Sequence, residues 1–401
     1  MAMSDEIRVG CIGVGGMGIN NLNGFMKHPE VEVVAVCDVD SQILTKAAGA
    51  VMKKQGSLPR VCFDFRRVLD MKDVDAVVIS TPDHWHALPM IMACEAGKDV
   101  FCEKPLSHDI HEAQCMVGAA RHYKRVVQVN TVQRSSGHFR DAIDFVRAGG
   151  LGKVRICRAW ICGSRPTGKN PIKAPPMHLD WDLWLGPSPK KPYHDNIHPY
   201  LWRYYSDWGT GQTGNFGAHM IDIVLLGMNE WHPTDVSSCG GEFHFRDDDR
   251  DMPDTQMAVF KFPSFLMYWE VNMNSEGLDG GGGSAAEFIG EKGRMIVDRG
   301  GIKWHPYGDH PGPEKKTPNG DHIQDFLDNM RTRGKCRSDI ETTYCITVCC
   351  HLANLSYEAG RSIKWDGPSG VVIGDKKAMD FQAYKREYRK PWRLPYYKWN
   401  V

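Results

Sequence analysis

The stretch Gly13-Val14-Gly15-Gly16-Met17-Gly18 follows the apolar, β-branched run 7–12 without a break. A strand that passes into a helix through a G-x-G-x-x-G turn constrains the fold more than any other feature of this chain. Gly13 permits the tight turn, Gly15 lets the backbone approach a pyrophosphate, and Gly18 lets helix and strand pack closely. The first turn of the helix then faces the phosphate charge, with Gly16 and Met17 completing the expected contact. The ligand this context selects is a dinucleotide.

The surrounding sequence supplies the βαβ setting that the turn requires. Short apolar runs at 7–12, 31–37, 74–80, 99–102 and 125–129 alternate with helical stretches near 18–27, 41–54, 87–97 and 110–123. Such alternation predicts a doubly wound parallel sheet, of the Rossmann kind, buried on both faces. Asp38 closes the second run, where a carboxylate accepts hydrogen bonds from the adenosine ribose and repels a 2′-phosphate. No Arg follows within residues 38–42, so NAD is expected rather than NADP. A second use remains open, in which Asp38 or Asp40 caps the next helix.

After Asn130 the pattern changes. Strands are predicted at 153–162, 234–245, 255–262, 265–272, 286–290 and 294–298, joined by turns, which reads as a large, mostly antiparallel open sheet. Helices near 139–148, 219–227, 323–331 and 342–359 would cover one face. The other is free to pair with a second subunit, so a homo-oligomer, dimer or tetramer, is expected. With 401 residues, the chain divides into a cofactor domain (1–130), an α/β substrate and oligomerisation domain (131–364), and an aromatic, basic tail (365–401) that packs back on the body. The run Gly280-Gly281-Gly282-Gly283 reads as a loop that lets backbone pass close to a ligand or strand.

Lys plus Arg and Asp plus Glu number 49 each, which argues against nucleic acid or an anionic membrane as partner. No apolar stretch is long enough to span a membrane, and the leader from Met1 to Glu6 has no signal-peptide core. The 13 cysteines include no C-x-x-C pair, as expected of reduced thiols in the cytoplasm.

Four further motifs give the chain a family likeness: Phe101-Cys102-Glu103-Lys104-Pro105, the loop Thr81-Pro82-Asp83-His84-Trp85-His86, the W-D-L-W-L-G-P run from Trp181 to Pro187, and Gly217-Ala218-His219-Met220-Ile221-Asp222. With the glycine turn, they make the chain resemble the Gfo/Idh/MocA oxidoreductases from Ile7 to Trp392. The resemblance implies that Glu103 contacts the nicotinamide ribose and that Lys104 lies between nicotinamide and a substrate hydroxyl. A cation fixed there would stabilise the alkoxide that forms as hydride leaves. Thr81, Pro82, His86 and Pro105 would sit beside the cofactor at the carboxyl edge of the sheet. His84, His86, His108 and His111 show no metal-protein spacing, so no metal is expected.

The same resemblance implies that His219 is the general base, suited by imidazole chemistry to proton traffic near neutral pH. The family usually places Asp four residues earlier; here that position is Asn215, which can orient a hydroxyl but carries no charge. Asp222 matches the family pattern and would orient His219 or act as a second acid or base. Gln133 and Arg134 resemble substrate-approaching positions, and Trp181, Trp184, Tyr200, Trp202, Tyr204, Tyr205 and Trp208 suggest an aromatic wall for a sugar, although core packing would claim many of these rings.

Three functions follow as alternatives. One is an NAD-dependent dehydrogenase acting on a secondary hydroxyl of a sugar, polyol or glycoside. Another is a redox-neutral glycoside-cleaving enzyme that uses retained NAD for transient oxidation and elimination. The third is a non-catalytic cofactor-binding scaffold, which would not need Lys104 or His219.

Overall fold

The computed structural model describes residues 6–163, 166–278 and 282–397. The amino-terminal part runs β1 (Ile7–Ile12), α1 (Gly16–Phe25), β2 (Val31–Cys37), α2 (Ser41–Gln55), β3 (Arg60–Cys62), α3 (Phe65–Leu69), β4 (Ala76–Ile79), α4 (Ala87–Glu95), β5 (Asp99–Cys102), α5 (Ile110–His122) and β6 (Val127–Val129). Its six strands are all parallel, in the order β3-β2-β1-β4-β5-β6. Chain order reverses between β1 and β4, and a crevice opens there at the carboxyl ends of the strands. The apolar runs form this sheet because helices cover both of its faces, leaving no position on β4 or β5 in water. The edge pair β3 and α3 was not anticipated. Arg60 and Val61 are exposed, so the strand carries no continuous apolar run, while Asp64 caps α3 through the Arg66 amide.

The remainder runs α6 (Gly137–Arg147), β7 (Val154–Cys162), α7 (Trp181–Leu185), α8 (Gly211–Met228), β8 (Asp235–Gly241), β9 (Thr255–Lys261), β10 (Leu266–Asn272), β11 (Ser284–Gly290), β12 (Gly293–Asp298), β13 (Gly301–Pro306), α9 (His322–Thr332), α10 (Ile340–Ala359), β14 (Ile363–Asp366) and β15 (Val371–Val372). Nine strands form one sheet in the order β13-β12-β11-β7-β10-β9-β8-β14-β15, and only β7 and β10 pair in parallel. The alternation expected of a half-covered sheet is clear on β9 and β10. Ala258, Phe260, Met267, Trp269 and Val271 face the core, while Met257 and Leu266 face out.

Helix α8 begins at Gly211, two turns before the start expected near 219. Its glycines obscure the helical signal, and one has a packing reason: a Cβ on Gly217 would lie 3.0 Å from Cys350 Sγ on α10. Strand β8 stops at Gly241, short of the expected 245, because the Phe243, His244 and Phe245 amides turn to donate to the Asp254 carboxylate.

Helix α9, counted by the sequence with the second unit, covers the parallel sheet. Phe326, Leu327 and Met330 join the apolar cluster of Phe25 and Phe101. The tail is anchored by Arg386, buried against Glu112 at 2.7 Å, and by Trp392, which meets Trp85 edge-on at 4.8 Å. Gly280 and Gly281 lie outside the described residues, as does Trp399. Among the described residues no helix is long and apolar enough to cross a membrane.

Candidate active site

The glycine turn packs as tightly as its spacing requires. A Cβ on Gly18 would fall 2.0 Å from the Gly13 carbonyl oxygen, so only glycine lets α1 leave β1 at this angle. At Gly16 the geometry is different. Its φ is +41° and an added Cβ would meet nothing within 4 Å, which leaves open space in front of the α1 amides. Gly13, Gly15, Gly16 and Met17 line the crevice; Gly18 packs beneath it. This is the cradle a pyrophosphate fits, at a helix amino terminus.

The two aspartates after β2 divide the roles that the sequence left open. Asp38 lines the crevice, oriented by the Val14 amide at 2.9 Å and the Asp40 amide at 3.0 Å. A carboxylate has lone pairs beyond those two, so it can still accept ribose hydroxyls. Asp40 caps α2 through the Gln42 and Ile43 amides. Its second oxygen meets His198 at 3.2 Å and His178 at 3.6 Å.

At the other end of the crevice, the carboxyl ends of β4, β5 and β6 bring several polar groups together. Glu103 Oε1 accepts from Asn21 at 2.9 Å and Asn130 at 2.7 Å, and Oε2 accepts from the Lys104 amide. Asn21 on α1 and Asn130 after β6 were not singled out from sequence, since isolated asparagines carry no spacing signal. Lys104 Nζ crosses to α8, donating to the Asn215 side chain at 2.6 Å and its carbonyl at 3.0 Å. Asn215 Nδ2 donates in turn to Gln212 Oε1 at 2.9 Å, which fixes the amide's orientation. Burial pushes the Lys104 ammonium below its ordinary value, against Glu103, which favours the charge.

His219 lies one turn along α8 from Asn215, on the same face. It is buried, its Nδ1 has no partner, and burial holds it well below its ordinary value, helped by the Lys104 and Arg299 charges. These effects favour the neutral imidazole.

Asp222 has a different task from the one expected. Both its oxygens are taken by Arg134 at 2.8–3.0 Å, with the two side chains 0% and 3% exposed. Arg134 also donates to Thr342 Oγ1 and the Arg337 carbonyl, each at 2.7 Å. This saturated pair staples the turn after β6 to α8. It neither orients His219 nor leaves Arg134 free for a substrate. Gln133, beside it, is buried with neither amide atom partnered.

Thr81 and Pro82 line the crevice. His86 and Pro105 do not: the His86 ring is held between the Pro105 carbonyl at 2.7 Å and the Thr81 carbonyl at 2.9 Å, so it ties two crevice loops together from behind. His84 likewise bridges the Trp184 and Trp208 carbonyls. His108 and His111 do not line the crevice.

Residues between β7 and α8 form a strap over the crevice. Leu179, Trp184, Leu185, Tyr193, Ile197, Trp202, Tyr204, Tyr205 and Trp208 make a separate apolar cluster. Most of the anticipated sugar wall is therefore core. Tyr204 packs under Arg250, at 4.7 Å, away from the crevice. Trp184, Tyr200 and Trp202 do line it, together with His198 and Arg203, which sequence reasoning passed over.

A dinucleotide cradle at the switch point, with a lysine and an aromatic rim at its far end and His219, which does not itself line the crevice, one helical turn from Asn215, defines the class of nucleotide-dependent oxidoreductases. Residues 7–131 match the family model described as oxidoreductase family, NAD-binding Rossmann fold, and 160–246 match that family's C-terminal alpha/beta domain. The chain belongs to the Gfo/Idh/MocA oxidoreductase family. A glycosyl hydrolase family 109 protein of Shewanella putrefaciens is 32% identical over 155 residues, 37% of this chain and 34% of its own length. Inositol 2-dehydrogenase 3 of Saccharopolyspora erythraea is 34% identical over 148 residues, 36% of this chain and 42% of its own length. The chain thus spans between about a third and two-fifths of the length of these curated relatives. In overall fold it is similar to the WlbA dehydrogenase of Bordetella pertussis, solved with NADH and UDP-GlcNAcA, with a TM-score of 0.70 and 18% identity over 90% of this chain and 99% of that one.

Proposed function

We propose that this chain is an NAD-dependent dehydrogenase of a secondary hydroxyl on a sugar, polyol or glycoside. The observation that carries the reading is the placement of Lys104 Nζ, held by both Asn215 oxygens at the end of the crevice, one helical turn from a buried His219 whose Nδ1 has no partner. Asp38 and the α1 amides bind the dinucleotide. The Asp38 carboxylate favours NAD over NADP by charge. Nicotinamide, when bound, supplies the hydride acceptor. Lys104 has a third N–H for the substrate oxygen and stabilises the developing alkoxide. His219 takes the hydroxyl proton, so the carbinol loses one hydride and one proton and leaves as a ketone. Trp184, Tyr200 and Trp202 supply flat apolar faces for the C–H faces of a sugar ring. Exposed Met257 and Leu266 on the uncovered sheet support pairing with a second copy.

The test is turnover of a sugar panel with NAD, read as reduced cofactor, in wild type and in His219→Gln. General-base loss should cost about 10²–10⁴-fold in kcat with cofactor affinity preserved. A His219→Gln enzyme with undiminished kcat would remove His219 from the chemistry.

A second reading, redox-neutral glycoside cleavage with NAD retained, is favoured by the strap. Ser41 donates to the His178 carbonyl at 2.8 Å and Asp180 to the Val39 carbonyl at 2.9 Å, so the strap is bonded to the chain on both sides of Asp40, just after Asp38. Mass spectrometry of the purified protein for bound cofactor, followed by aryl-glycoside cleavage without added NAD, separates the two.

A further inference from the structure

On the dehydrogenase reading, the substrate lies by Lys104 and His219, and the charge around that space is unbalanced. Asn215 is neutral where a carboxylate would have compensated Lys104. Two arginines add to the excess. Arg203 lines the crevice from the strap, its guanidinium stacked 3.9 Å from the Tyr200 ring centroid and 4.4 Å from that of Trp202. It donates to the Tyr200 carbonyl, and its buried Nε has no partner. Arg299, on the β12–β13 turn, lies 5.5 Å over Phe216, whose ring meets His219 edge-on with centroids 6.1 Å apart. Among the described residues neither arginine forms an ion pair.

The nearby carboxylates Glu103 and Asp83 favour the Lys104 charge, but neither forms an ion pair with Arg203 or Arg299. Glu103 is held by Asn21 and Asn130, and Asp83 accepts from Thr210 at 2.8 Å. The charges of both arginines reach Lys104, and that of Arg299 reaches His219. Guanidinium groups held over aromatic rings, with donors unspent, suit recognition of an oxyanion.

We propose that the substrate is an anionic sugar, whose carboxylate or phosphate is recognised by Arg203 and Arg299 while a ring hydroxyl faces Lys104. Specificity for the acid over the neutral sugar then comes from the two arginines, and the chemistry from Lys104 and His219.

The test is calorimetric binding of glucose, glucuronate and glucose 6-phosphate to the NAD-loaded protein, with kcat/KM for each in parallel. Wild type should prefer one or both anionic sugars by about tenfold to a hundredfold, the range for a hydrogen bond to a charged group. Arg203→Gln and Arg299→Gln should each reduce the anionic-to-neutral ratio. Arg299 is exposed, so its variant probes the site even where the strap variant misfolds. Preference for glucuronate alone identifies a carboxylate, and for glucose 6-phosphate alone a phosphate. Equal binding of neutral and anionic sugars, or a ratio unmoved in Arg299→Gln, overturns the inference; turnover of neutral sugars would then still support the dehydrogenase reading. Anion-dependent binding without reduced cofactor from any sugar keeps the anion site and overturns the dehydrogenase reading.

Discussion

Replacing Asn215 with Asp isolates the electrostatic role of Lys104. Asn215 Oδ1 lies 2.6 Å from Lys104 Nζ, so the new carboxylate forms an ion pair without moving either chain. Its second oxygen would face Gln212 Oε1, which now accepts from Asn215 Nδ2 at 2.9 Å. Gln212 can flip its amide to donate instead, since its own Nε2 is engaged only by Met273 Sδ at 3.7 Å. At an effective dielectric near 20, two charges ~4 Å apart attract by about 4 kcal/mol, a gross figure that desolvation of the new carboxylate largely offsets. Stability should therefore change little while the proton equilibrium of Lys104 changes much. Burial now lowers the lysine, so catalysis that needs the ammonium is lost as pH rises through that lowered value. An adjacent carboxylate favours the ammonium and should carry the alkaline limb of kcat/KM upward by about one to three pH units. The assay is a pH profile of kcat/KM with thermal unfolding as a control. An alkaline limb that stays in place, or moves to lower pH, in a folded Asn215→Asp protein would refute the assignment of Lys104 as the charged group at the reacting oxygen.

Asp38→Ala should weaken NADH binding by about tenfold to a hundredfold and narrow the preference over NADPH, measured by fluorescence titration; an unchanged preference would show that Asp38 does not face the ribose. Asp222→Ala should cost about 3–5 kcal/mol in urea unfolding, because it strands the Arg134 guanidinium without its buried partner, and a loss below 1 kcal/mol would contradict the staple.

The parallel domain was legible because its physics is local. Runs such as 33–37 and 76–79 are apolar throughout, and the glycine turn and Asp38 stand at fixed steps from β1 and β2. Lys104 was legible through the family likeness, carried by the run Phe101 to Pro105 at the end of β5. What sequence could not show depends on partners distant in the chain. Asp222 and His219 read as one helical face, yet Arg134, 88 residues away, claims both Asp222 oxygens. His86 reads as a cofactor ligand until the Thr81 and Pro105 carbonyls are seen on its two ring nitrogens. The aromatic run of the strap has the composition of either a sugar platform or a small core, and only the packing of Tyr204, Tyr205 and Trp208 away from the crevice distinguishes them. Arg203 and Arg299 carry no motif at all.

The strap also bears on whether the dinucleotide is a co-substrate or a retained catalyst. Exit past Asp38 requires the strap to lift, which breaks the backbone bonds at Ser41 and Asp180 and the contact of His198 with Asp40 at 3.2 Å. At about 0.5–1.5 kcal/mol net each, these two backbone bonds contribute roughly 1–3 kcal/mol and slow release by about 5- to 150-fold, to which the His84 and Trp85 bonds to the strap's Leu183 and Trp184 carbonyls add. The two backbone bonds alone are enough to make cofactor release compete with chemistry. Permanent retention would add to the strap a grip inside the crevice, from the α1 amides, Asp38 and the Glu103 cluster acting together. A redox-neutral cycle needs that inner grip. A dehydrogenase needs the grip to be weak enough that a strap of this strength can open within one turnover.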